Sequence, residues 1–179
     1  YDAMLAKLIP QGPTRAAALA TLRSALADSV VAGVASNLDL LHSIVSHPDF
    51  VAGNVDTGFI DRNLAALGAV PHSPDRAAAG AGVASLLVRE DGAAAEEANS
   101  PWAARDGFQL GGQRSVTVPV VIDGDGANAT VTYDKDGMKV VIDGTAPAPD
   151  ARTFVAGDEA YVVHNGRQTR VRLQDISVA

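Results

Sequence analysis

Asp134-Lys135-Asp136-Gly137 opens like a calcium-binding loop. Such a loop sets oxygen ligands around a tight glycine turn and closes on a glutamate six residues after the glycine. Here position 143 is Asp, and the intervening residues alternate like a strand. A hairpin turn is therefore the favoured reading, and Asp123-Gly124-Asp125-Gly126 is read the same way. His42 and His47 stand five apart, on different faces of a helix, while His72 and His164 lie in other segments. That spacing does not gather metal ligands. The chain has no Cys, which removes thiolate chemistry and disulfides. It has no Gly-x-Ser-x-Gly elbow, and Gly80-Ala81-Gly82 and Gly111-Gly112 lack the lysine of a phosphate loop. Those glycines read as packing and turn positions. Arg167, Arg170 and Arg172 form a local basic patch, read as a solvated strand face. The single tryptophan, Trp102, follows Pro101 and precedes Arg105 and Phe108. It reads either as an interfacial anchor or as a residue closing one end of a core. No residue is assigned a catalytic, cofactor-binding or metal-binding role.

The composition agrees with a chain that does little chemistry itself. Its 179 residues suit one ordinary domain or two small ones, and 47% are hydrophobic. Of these apolar residues 33 are Ala, so the core-forming set is adequate without excess. No apolar run approaches the ~20 residues of a membrane helix. The net charge of −7 argues against non-specific nucleic-acid binding, which needs a basic surface. The first residue is Tyr1, with no initiator Met and no signal-like segment, and the opening reads as the middle of a structured element. A piece of a larger protein is the expectation.

Leucine and valine divide the chain. Residues 1–98 hold 12 Leu and 9 Val, and residues 99–179 hold 2 Leu and 12 Val. Leu and Ala favour helices and Val favours strands, so the order is helical first and β second. A short strand over Met4–Ile9 is expected, broken by Pro10 to Pro13. Thr14 caps a helix to about Asp28, and Asn37 caps a second, which His47-Pro48 ends. Asp56-Thr57 caps a third, with Phe59, Ile60, Leu64 and Leu67 behind it. Residues 68–72 mark a boundary.

Ser73-Pro74 is expected to start a fourth helix, reaching about Arg89. Its interior carries Gly80 and Gly82 among alanines. Each interior glycine costs roughly 1 kcal/mol against alanine, which is offset only where a slim helix must be closely wrapped. From Phe108 onward apolar residues recur at every second position, between turns at 123–126, 134–137 and 165–166. Consecutive hairpins predict an antiparallel meander of six or more strands that curls into a barrel, with the slim helix as its plug. Pro119 must sit on an edge or a bulge.

Two sets of motifs carry a family resemblance. Tyr1-Asp2-x-Met4-Leu5-Ala6-Lys7-Leu8-Ile9, Gly12-x-Thr14-Arg15 and Gly33-Val34-x-Ser36-Asn37-Leu38 lead to His47-Pro48-x-Phe50-x-x-Gly53-x-Val55-Asp56-Thr57-Gly58-Phe59-Ile60. This series resembles the last part of biotin carboxylase, an ATP-grasp enzyme, over residues 1 to about 67. Ala3 and Ser36 stand where that family usually has Pro and Thr. Ser100-Pro101-Trp102, Gly107-Phe108-x-Leu110, Val131-Thr132-Tyr133-x-x-Asp136-Gly137 and Gly157-Asp158 resemble the α subunits of biotin-dependent acyl-CoA carboxylases, in particular those acting on methylcrotonyl-CoA.

The resemblance implies an α+β chain: the helical C-terminal segment of an ATP-grasp biotin carboxylase (1–67), a linker and central helix (68–98), and an antiparallel β-barrel (99–179), the docking or middle domain, cut short. The parent would carboxylate biotin with ATP, bicarbonate and a divalent metal such as Mg. Its nucleotide-binding residues would lie upstream of Tyr1 and its biotinylation site downstream of Ala179, so this piece would bind no cofactor and be inactive alone. Its partners would be the carboxyltransferase β subunit, the other α-subunit domains and the biotin carrier domain, with no nucleic acid and no membrane. Pro101, Trp102, Arg105 and Phe108 are the expected partner contacts. The compartment would be the cytoplasm, or the mitochondrial matrix in a eukaryote. The alternatives are a stand-alone barrel holding an apolar ligand, an unrecognised enzyme, or the α subunit of a geranyl-, propionyl- or acetyl-CoA carboxylase.

Overall fold

A computed structural model describes residues 4–68, 73–94, 114–134 and 137–174. The chain divides into two compact units, one of residues 1–72 with 165–167 and one of residues 73–164 with 168–179.

The first unit is helical. Residues 4–9 form no strand, contrary to expectation, and follow an irregular path. Alternation in so short a segment needs a neighbouring strand to pair with, and among the described residues none pairs there. Helix α1 spans Arg15–Asp28, and the Thr14 hydroxyl accepts the Ala17 N–H at 3.2 Å. Helix α2 spans Leu38–Ser46, with Asn37 at the cap position but no hydrogen bond from its side chain. His47 ends α2 as expected and also starts α3, Pro48–Ala52, accepting the Asp49 N–H on Nδ1. Gly53 closes α3 at φ 86°, a conformation glycine adopts without strain. Leu19 and Leu26 of α1 and Val45 of α2 are buried together, with Leu22, Leu38 and Phe50 packed on them. The Arg15 guanidinium donates to the carbonyls of Phe50 and Val51, two of the last carbonyls of α3. The third expected helix shrinks to α4, Phe59–Arg62, followed by turns. Asp56 starts it: Oδ1 accepts the Gly58 N–H and binds Arg62 at 2.7 Å, which holds the Asp56 carboxyl below its ordinary range.

The second unit is one helix in the hollow of a curled sheet. Helix α5 spans Arg76–Ala94, five residues past the expected end. Asp75, not Ser73, caps it: Oδ1 accepts the Ala78 N–H at 2.9 Å. Ala78, Ala79, Val83 and Leu86 are buried, and Val88 and Arg89 are exposed. A β-carbon on Gly80 would lie 3.3 Å from Pro147, and one on Gly82 would lie 2.8 Å from Val162 and press on Val171. The glycines thus sit where the wrapping is tightest.

Six strands surround α5: β1 Arg114–Ile122, β2 Asp125–Asp134, β3 Gly137–Ile142, β4 Arg152–Ala156, β5 Glu159–His164 and β6 Arg167–Leu173. Their spatial order is β3-β2-β1-β6-β5-β4, so the chain does not form one continuous meander. Two three-stranded meanders meet instead at an antiparallel seam, where Val120, Val121 and Ile122 of β1 face Leu173, Arg172 and Val171 of β6. The sheet curls into a half-barrel, with β3 and β4 as its two edges. Val120, Ile122, Ala129, Val131, Val140, Ile142, Ala160 and Val171 turn inward and pack on Ala79, Val83 and Leu86.

Pro119 lies in a strand that is otherwise central, one residue before the seam begins. Its carbonyl accepts the Gln174 N–H on that side, and its missing donor falls where the ladder has already ended. Asp123-Gly124 is a tight hairpin with φ 51° and 100°, and Asn165-Gly166 repeats it with 52° and 73°.

Candidate interaction surface

The residues expected to meet a partner, Pro101, Trp102, Arg105 and Phe108, lie outside the described residues, as do His72 and the Gly111-Gly112 pair. The described part of the half-barrel offers three surfaces that could carry function.

The first is the pair of open edges and the helix between them. Helix α5 packs against β3, β4 and β5. It is tied twice to a turn next to an edge strand: at its start Arg76 Nε meets Asp143 Oδ2 at 2.8 Å, and further along Arg89 Nη1 donates to the Gly157 carbonyl at 2.9 Å. Phe154 of β4 is 44% exposed, and Val88 of α5 is 63% exposed. An edge strand with unpaired backbone groups is a natural place for another chain to pair.

The second is the outer face of β6. Arg170 and Arg172 project from it, and Val121, Asp123, Gly124 and Glu159 complete a shallow concavity of about 260 Å³. Asp123 Oδ1 accepts the Arg170 N–H at 2.8 Å, and Glu159 lies 3.7 Å from the Arg170 guanidinium. Two carboxylates balance the two arginines, so the patch has no net positive charge to gather anions. This agrees with a solvated strand face.

The third is a histidine between two carboxylates. His164 Nδ1 lies 2.8 Å from Asp75 Oδ2, and Nε2 lies 3.6 Å from Asp150 Oδ1. Nothing in the sequence placed these three together, because they are brought from three separate segments of the second unit. Burial pushes the Asp75 carboxyl up. The Ala78 N–H and the hydrogen bond and charge of His164 outweigh it, so the carboxyl ends below its ordinary value of 3.8. A carboxyl lowered by folding adds stability above its unfolded value, and that stability is lost as the pH falls through the folded one. Asp75→Asn keeps a competent cap but has no charge to lose. Its stability is expected to approach that of the wild type as the pH is lowered below about 3.8, read from urea melts at neutral and acid pH.

Two further observations bear on chemistry. Among the described residues no group of three or more His, Asp or Glu is placed to hold a metal ion. Gly80 and Gly82 lie inside α5 and face Pro147, Val162 and Val171, so they cannot cradle a phosphate. The first unit differs from the second in its surface. Among the described residues ten large apolar side chains are exposed there, among them Met4, Leu5, Leu8, Ile9, Ile60 and Leu64, against Val88 and Phe154 in the second. An apolar surface of that extent is suited to burial against protein. Among the described residues no helix is long and apolar enough to cross a membrane.

Comparison with known proteins agrees with both units. Residues 1–62 match the family model of the biotin carboxylase C-terminal domain. The methylcrotonoyl-CoA carboxylase subunit alpha of Dictyostelium discoideum is 33% identical over 80% of this chain and 22% of its own length. The rice protein of the same name is 29% identical over 97% of this chain and 26% of its own. The propionyl-CoA carboxylase alpha chain of Ruegeria pomeroyi is 45% identical over 34% of this chain and 9% of its own. The chain thus spans about a quarter or less of the length of these relatives. It carries a biotin carboxylase C-terminal domain and is homologous to the α subunits of the methylcrotonoyl- and propionyl-CoA carboxylase family.

Proposed function

We propose that this chain is the part of a biotin-dependent acyl-CoA carboxylase α subunit that completes the carboxylase core and docks it onto the carboxyltransferase β subunit. The parent would be a methylcrotonyl-CoA carboxylase that carboxylates biotin with ATP and bicarbonate, in the cytoplasm or the mitochondrial matrix. Residues 1–67 would close the carboxylase domain, 68–98 would serve as linker and central helix, and 99–179 would be the docking barrel. The exposed apolar side chains of the first unit support its burial against the rest of a carboxylase domain. In this reading the chain's own part is mechanical. A tethered biotin must visit two active sites, and rigid placement sets its effective concentration at each.

One observation carries the reading: the inside of the half-barrel is filled. A β-carbon on Gly82 would already meet Val162 at 2.8 Å and Ala160 at 3.3 Å. An apolar-ligand barrel needs a cavity of several hundred Å³ at that place. A filled barrel has no room for a ligand inside, so the reading assigns partner contact to Pro101, Trp102, Arg105 and Phe108, the residues expected from the sequence. A pull-down of the β subunit with the wild type, Trp102→Ala and a deletion of 91–102 tests that assignment. Binding is expected to fall at least about tenfold in both variants, the scale of an aromatic hot spot. Unchanged binding by both would overturn it. ATP hydrolysis by this chain alone would contradict the mechanical role and favour a complete enzyme.

A further inference from the structure

We draw no further inference here: the strongest candidate, the open side of the half-barrel where the edge strands β3 and β4 flank α5, is an unpartnered face, and nothing in the structure shows what covers it.

Discussion

Gly82→Val is expected to lower the stability of the half-barrel by about 3 kcal/mol or more, and Gly82→Ala by about 1–2 kcal/mol. Helix propensity alone gives the opposite sign, since alanine at a helix interior is favoured over glycine by roughly 1 kcal/mol. The sheet decides otherwise. A β-carbon at position 82 would press on Val171 of β6 and lie 2.8 Å from Val162 and 3.3 Å from Ala160 of β5. All three belong to strands that cannot retreat without breaking their ladders. Overpacking of this kind costs about 1–3 kcal/mol for a single added group. Valine adds two more carbons and is stiff at χ1. Gly126→Ala is the control: a β-carbon there has no heavy atom within 4 Å, so its stability is expected to stay within about 0.5 kcal/mol of wild type. Urea melts of the three variants measure the difference. A stabilised Gly82→Ala would mean that α5 is not wrapped as described.

Ile122→Ala is the second large effect, about 2–5 kcal/mol. Ile122 is 1% exposed and packs into the core around Val83 and Leu86. Its place in the sheet matters as much as its burial. Among the described residues the two three-stranded meanders are joined as a sheet through β1 and β6, and that seam pairs three residues of each strand, Ile122 with Val171 among them. A cavity there weakens the sheet's own junction between the halves, which α5 otherwise bridges by packing on β3, β4 and β5. Thermal unfolding followed by near-ultraviolet absorbance of the tyrosines is therefore expected to shift down and to broaden as the halves lose cooperativity. Val155→Ala, on edge strand β4 and only partly buried, is expected to shift the midpoint less and leave the width unchanged.

The local chemistry of the turns and caps was readable in the sequence. Asp123-Gly124 and Asn165-Gly166 demand positive φ at both residues, which few other pairs tolerate, and both form tight hairpins. Thr14 and His47-Pro48 punctuate helices in the way their side chains dictate. Residues Met4–Ile9 alternate but form no strand, because alternation marks a strand only where a partner strand exists. The cap of α5 lies two residues after Ser73, at Asp75. Ser73-Pro74 satisfies the same local rule as Asp75, and the hydrogen bond to Ala78 settles between them.

By itself, the sequence determined the helical-then-β order, the hairpin positions, and a slim helix that had to be surrounded. Each of these follows from near-neighbour physics: propensity, period and turn geometry. The tertiary structure decided which strands are neighbours. Order β3-β2-β1-β6-β5-β4 and order β1 to β6 contain the same hairpins and the same inward valines, so no local signal separates them. What separates them is the seam of β1 with β6, a contact between residues about fifty positions apart. The same long-range closure brings Asp75, Asp150 and His164 together, three polar residues without a shared motif. A pattern of near neighbours cannot encode such a meeting, because it arises only when the sheet curls around α5.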